Sequence, residues 1–320
     1  MTQRTAPETG WPEDGVPGPP HRNAARTRKQ KEKRAAYLFL APWFTGLALI
    51  TLGPILASLY LSFTDYSLLE SPNFIGLENY VRMFGDDVRF MNSVEVTFRY
   101  VFISVPLQLV FALLLALVLD KGVRGLSLYR SVYYLPSLLG TSVAIAILWR
   151  RVFAGDGLVN AALGMFGLEG PSWISHPDHA LTTLIVLNVW TFGSPMIIFL
   201  AGLRQIPRSY YEAASVDGAG PIAGFFRITL PLLTPIIFFN LVLQMIFAFQ
   251  AFTPAFIVSG GSGGPVDSTL FYTLYLYQQG FGNFRMGYAS AMAWMLLVVI
   301  AIFTLLNFLG SRYWVHYEDR

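Results

Sequence analysis

Six uncharged stretches dominate this sequence, at 35–63, 100–119, 131–149, 180–203, 232–258 and 286–311. A helix that crosses the hydrocarbon of a bilayer needs about 20 largely apolar residues, and each stretch is of that order. The third is the shortest and is expected to borrow flanking residues or to tilt. Lipid offers no water to an unpaired backbone group, so an open sheet edge is not viable there. The expected fold class is an all-α integral membrane protein with six transmembrane helices. Composition agrees: 13% of residues are charged and 54% hydrophobic, against about 25% charged in soluble domains. The first stretch runs for 29 residues, longer than a signal-peptide core of about 7–15, so it is read as a retained membrane helix.

The cationic residues orient the set. With the amino terminus inside, the inner segments 1–35, 120–130, 203–231 and 312–320 hold eight, three, three and two Lys or Arg, sixteen of the 22. Arg82, Arg89, Arg99, Arg150, Arg151 and Arg285 remain for the outer side. Cytoplasmic segments of membrane proteins are enriched in Lys and Arg. Both termini are therefore expected in the cytoplasm, and the chain in the cell membrane as a multi-pass protein in contact with lipid. Residues 1–35 combine Pro7, Pro12, Pro17, Pro19 and Pro20 with the run Arg26, Arg28, Lys29, Lys31, Lys33, Arg34. They have little apolar surface to bury and are expected to be a disordered basic cytoplasmic tail. The run reads as a topological anchor and not as a nucleic-acid site. Residues 36–317 form the transmembrane domain.

Several chemistries find no support. There is no cysteine, hence no thiolate nucleophile or thiolate metal site. His176 and His179, with Asp178, lack the further ligands a metal needs and read as interfacial loop residues. The run Gly260–Gly264 followed by Pro265 has no Lys after it and reads as a flexible turn. No G-x-x-x-x-G-K-[ST] loop occurs anywhere, so the chain has no phosphate loop of its own, and no Ser/His/Asp set converges. Catalytic, cofactor-binding and metal residues are all expected to be absent.

Between the fourth and fifth stretches lies a small polar island at about 203–231, on the expected cytoplasmic side. Ser209 and Glu212 have the spacing of a capping box, which predicts a helix start near Ser209. Asp217-Gly218 is a stop signal, because Gly accepts the left-handed conformation at a helix end. Pro221 suits the first turn of a second short helix, which would set Phe225 and Ile228 three apart before Leu230-Pro231. The expected shape is an elbow projecting from the membrane.

Glu212-Ala213-Ala214, then Asp217-Gly218-Ala219, Phe225, Ile228, Leu230-Pro231 and Pro235 resemble, residue for residue, the EAA loop of the membrane subunits of ABC importers. Ala41-Pro42 through Gly53-Pro54, Ser62–Tyr66, Phe74–Tyr80, Tyr134–Ser137 and Arg285–Ala291 look like carbohydrate permeases related to the maltose and glycerol-3-phosphate importers. They are nearest to the first of the two permease subunits in such systems. The resemblance spans about residues 36–317 and implies the type I importer permease fold. It also implies partners: a second permease subunit in a heterodimer, a cytoplasmic ABC ATPase dimer docking on the EAA loops, and an extracytoplasmic sugar-binding protein. ATP and Mg would sit on the ATPase, with no cofactor on this chain. Glu212, Asp217 and Gly218 are the expected coupling residues.

Polar side chains inside spans face a bundle interior or a water-filled cavity. Asn188, Trp190 and Thr191 in the fourth stretch, and Asn240, Gln244 and Gln250 in the fifth, are candidates for a sugar pathway. The alternative for each is a hydrogen bond between helices. Glu95 and Arg99, four apart, read as an ion pair. An ion-coupled secondary transporter would want carboxylates or histidines within the spans, which are lacking. An importer for a non-sugar solute would share the island but not the accessory sequences.

Overall fold

A computed structural model describes residues 22–121, 126–140 and 142–316. Among these the regular structure is helical, and the sole β feature is an isolated bridge between Thr64 and Phe74. The chain divides into two units, Met1–Ala57 and Ser58–Arg320.

In the first unit a helix runs over Arg22–Gly46 and passes through a π-helical turn at Leu47–Leu52. The turn ends just before Pro54, whose missing N–H leaves the Ile50 carbonyl without its usual partner. Residues 1–21 of the expected disordered tail lie outside the described residues. From Arg22 onward the expectation of disorder is corrected, because the chain is already helical there. Ala24, Ala25, Lys29, Gln30 and Lys31 are strong helix formers and continue the membrane helix outward.

Among the described residues four helices are each long and apolar enough to cross a membrane: Ala36–Leu61, Val88–Asp120, Pro221–Val258 and Met286–Trp314. Counting each of two bent pairs as one span makes six. Leu128–Leu139 and Val143–Val152 meet at 96°, and Pro177–Trp190 and Gly193–Leu203 at 41°. In chain order these are spans 1 to 6. Span 3 does borrow flanking residues, running over 128–152 against the uncharged stretch 131–149, and it is bent in the middle.

Span 2 organises the second unit. Val101, Val105, Ala112 and Ala116 are buried along one face, while Val110, Leu114 and Val118 on the other are exposed. Apolar burial gives little drive between helices in lipid, so close packing of small residues matters more. Ala112 and Ala116, fully buried, let neighbouring backbones approach. Farther along, Phe98 of span 2 lies edge-on to Phe249 of span 5 at 5.4 Å and to Phe303 of span 6 at 5.5 Å. Phe249 and Phe303 are themselves 5.5 Å apart, an aromatic cluster joining three spans.

Charged ties close both ends of span 2. At its start the Asp87 carboxylate caps the helix by accepting the Phe90 N–H at 2.9 Å. It also accepts the Tyr275 and Tyr288 hydroxyls, each at 2.7 Å. Burial, reinforced by that carboxylate, pushes the Tyr275 hydroxyl above the ordinary tyrosine value. At the other end Asp120 meets Arg204, at the foot of the polar island, at 3.7 Å. Glu95 and Arg99 form the expected ion pair.

Candidate functional site

The polar island folds as a hairpin. Its first arm is the helix Arg208–Val216. That helix opens behind Pro207, whose backbone is extended and which contributes no side-chain cap. The capping-box expectation for Ser209 and Glu212 is therefore corrected: both lie inside the helix. Proline disfavours helix in the residue before it, so Ile206-Pro207, and not Ser209, sets the start.

The stop at Asp217-Gly218 is present. Gly218 has φ +80°, its N–H donates to the Ser215 carbonyl at 3.1 Å, and Ala219 N–H donates to Ala214 at 2.9 Å. This pair of bonds is the Schellman motif, and it needs a residue at ease with positive φ. Pro221 opens the short helix Pro221–Gly224, followed by a π-helical turn Phe225–Thr229. Its wide bond, Leu230 N–H to the Phe225 carbonyl, falls just before Pro231, which has no N–H to give. The Tyr211 and Thr229 hydroxyls share a hydrogen bond of 2.8 Å that ties one arm to the other.

Glu212, Ala213, Asp217 and Gly218 are exposed, whereas Ala214, Ala219, Phe225, Ile228, Leu230 and Pro231 are half-buried. Between the arms is a cleft of ≈ 400 Å³, lined among others by Ala214, Asp217, Gly218, Arg227 and Ile228. The hairpin thus offers exposed carboxylates and small residues on a fixed turn, a surface suited to a protein partner.

A second site lies among the spans. A cavity of ≈ 480 Å³ is lined by Tyr100 and Gln108 of span 2, Ser137 of span 3, Leu187, Asn188, Thr191 and Ser194 of span 4, and Gln244, Phe247 and Gln250 of span 5 or its end. Ligand pockets run to about 300–1,000 Å³. None of the lining residues carries a formal charge. Amides and hydroxyls alternate with the rings of Tyr100, Phe247 and Phe252, so the wall can hydrogen-bond a polyol and cover its C–H faces.

Four of the six candidate pathway residues are brought together here: Asn188, Thr191, Gln244 and Gln250. Two are not. Trp190 packs its ring against Trp149 of span 3 at 5.8 Å. Asn240 is wholly buried and donates to the Ile236 carbonyl one turn back at 3.2 Å. Gln108 and Ser137 escaped the sequence reading, although both reach Thr191. The available signal was Pro195: four residues after Thr191, it leaves that carbonyl without a helical N–H, so a polar group from another span must supply one.

The rings of His176 and His179 lie 5.2 Å apart. His176 Nδ1 accepts the Asp178 N–H at 3.4 Å at the start of Pro177–Trp190, a local capping role.

Residues 88–314 match the family described as binding-protein-dependent transport system inner membrane component. The chain is 53% identical to a probable ABC transporter permease protein, YesP, of Bacillus subtilis (strain 168), over 91% of this chain and 94% of the relative. It is 33% identical to the lactose transport system permease protein LacF of Rhizobium radiobacter, over 86% and 93%. In fold it resembles a chain of a bacterial alginate ABC transporter, solved in complex with alginate pentasaccharide-bound periplasmic protein. The TM-score is 0.76 at 23% identity, covering 89% of this chain and 96% of that one.

Proposed function

The chain belongs to the binding-protein-dependent transport system inner membrane components, the permease subunits of ABC importers, and from that membership we propose that it passes a sugar through the cavity between spans 2, 3, 4 and 5. It is a multi-pass cell-membrane protein and a transport subunit, and ATP is hydrolysed on a separate subunit.

The observation that carries the sugar reading is the cavity wall: amides, hydroxyls and ring faces with no formal charge among the lining residues. Such a wall replaces the water shell of hydroxyl groups and stacks against pyranose C–H surfaces. The lactose transport system permease protein, to which the chain is 33% identical, supports the same substrate class.

The working assembly would hold a second permease subunit, a cytoplasmic ABC ATPase dimer with its ATP and Mg, and an extracytoplasmic sugar-binding protein. This chain would bind no cofactor itself. The ATPase would grip the hairpin through Glu212, Asp217 and the turn at Gly218, with Ala213, Ala214 and Ala219 allowing close approach. Phe225, Ile228, Leu230 and Pro231 would carry the push into span 5. Closure of the ATPase dimer would favour one of two arrangements of the spans, so transport follows as a population shift driven by nucleotide.

The test is uptake by proteoliposomes holding this chain with its second permease, ATPase and binding protein. Sugar should accumulate only with ATP at the ATPase face, and collapsing the proton gradient should leave the rate unchanged. Uptake that follows the proton gradient and ignores ATP would defeat the reading.

A further inference from the structure

Span 4 breaks at the cavity, and the polar groups freed by the break have named partners. Pro195 has no N–H, so the Thr191 carbonyl four residues earlier is left without a helical donor. Two side chains from other spans fill the vacancy. Ser137 of span 3 donates its hydroxyl to the Thr191 carbonyl at 2.7 Å and accepts the Ser194 N–H at 2.8 Å. Gln108 of span 2 donates through Nε2 to the same carbonyl at 3.2 Å and to Thr191 Oγ1 at 3.0 Å. Its Oε1 accepts the Asn188 amide at 3.3 Å. Thr191 Oγ1 in turn donates to the Asn188 carbonyl at 2.7 Å.

The approach is close because two glycines permit it. A Cβ on Gly140 would run into the Thr191 methyl, and one on Gly193 into the Tyr133 carbonyl. Gln108 is 2% exposed, and a buried amide is costly unless its bonds are made. Here the carbonyl oxygen and the amide nitrogen of its side chain are both engaged, on Asn188 and Thr191, two of the span-4 residues that line the cavity.

We infer that Gln108 is a positioning residue for substrate specificity: it clasps the break of span 4 to spans 2 and 3 and so fixes where Asn188 and Thr191 present their polar groups. Gln244 and Gln250 line the same cavity, and their side chains make no hydrogen bond among the described residues, which leaves them to meet the sugar directly. The inference rests on reading this cavity as the sugar's pathway.

The test uses the full transporter in proteoliposomes, with radiolabelled lactose and an alginate oligosaccharide as probes. Gln108→Leu is expected to raise KM for the transported probe about tenfold while Vmax per transporter stays within about twofold. Thr191→Val should do the same, and the double variant should be no worse than the more severe single, because both remove one unit. Multiplicative effects, or a fall in Vmax at unchanged KM, would overturn the inference. Hydrogen exchange reads the clasp without any sugar: Ser137→Ala should speed exchange of the Ser194 amide, and unchanged exchange would also overturn it. If Gln108→Leu does not reach the membrane, Ser137→Ala carries the KM measurement, with an expected rise of a few fold. Wild-type protein that takes up neither probe counts against the sugar reading, while the exchange result still decides the clasp.

Discussion

The Tyr211 hydroxyl lies 2.8 Å from the Thr229 hydroxyl, joining the first arm of the hairpin to the turn that enters span 5. Thr229 is buried and Tyr211 half-buried. The ring of Tyr211 also passes beside Gly224, so one side chain fixes the angle between the arms. Tyr211→Phe removes only the hydroxyl and strands Thr229, a loss of about 1 kcal/mol. The expected result is a transporter that still hydrolyses ATP but moves less sugar per ATP, measured as the ratio of uptake to phosphate release in proteoliposomes. An unchanged ratio would mean that the arms are held by other contacts.

Gly218 gives a sharper test of the same hairpin. It sits at φ +80°, and a Cβ there would meet nothing within 4 Å. Space is no obstacle, so any cost of a side chain is conformational. Gly218→Ala is expected to cost about 1–2 kcal/mol of local stability, and Gly218→Asn less, since Asn tolerates the left-handed region. Uptake should rank wild type, Asn, Ala, with Gly218→Pro lowest because proline cannot adopt a positive φ. Transport and coupling that both survive Gly218→Pro would remove the hairpin from the mechanism.

The spans and the hairpin turn were legible because their signals are local. An uncharged run must become a helix in lipid, and Gly218 and Pro221 act on their own neighbours. Pro195 marked the break in span 4, but the groups that repair it were hidden because they are long-range: Ser137 lies 54 residues from Thr191. Asn240 and Gln244 sit one turn apart on one helix, yet only Gln244 reaches the cavity, since the Asn240 amide turns back onto Ile236. Ser209 failed as a cap because Pro207, two residues earlier, had already fixed the helix start.

Val266 has φ +54° and Asp267 φ +55°, a conformation that is costly for a β-branched residue. The segment is held there by Arg89, whose guanidinium donates to both Asp267 oxygens at 2.8 and 2.7 Å. Asn92 adds a bond to the Asp267 carbonyl at 3.1 Å. Val266 is 86% exposed, so its side chain returns little for the strain. Val266→Asn should therefore stabilise the purified protein by about 1 kcal/mol, read as a rise in the melting temperature. Asp267→Asn, which weakens the Arg89 clamp, should lower it.

Asp65 accepts the Asn73 N–H at 2.8 Å and the Asn73 Nδ2 at 3.2 Å. These bonds favour the carboxylate and hold its pKa below the ordinary 3.8. A depressed folded pKa contributes stability that is present above the unfolded pKa and is lost as pH falls through the folded one. The loop closed by Asp65 and Asn73 should thus be unchanged from pH 7 down to about 4 and loosen only below that. Protection of the Asn73 amide, corrected for its intrinsic exchange rate, is the measurement. Loosening between pH 7 and 5 would mean that another group holds the loop.

Gln244 and Asn240 make opposite predictions from neighbouring turns of span 5. The Gln244 amide lines the cavity, so Gln244→Ala should raise KM for the transported sugar about tenfold, the loss of one or two hydrogen bonds to substrate. Protein level and ATPase activity should be untouched. Asn240 is wholly buried, and its Oδ1 lacks a hydrogen-bond partner among the described residues. Replacing a buried, half-satisfied amide with an apolar group of similar size is neutral or favourable. Asn240→Leu should then leave KM alone and keep or raise the melting temperature. A KM effect from Asn240→Leu as large as that from Gln244→Ala would place the pathway on the wrong face of span 5.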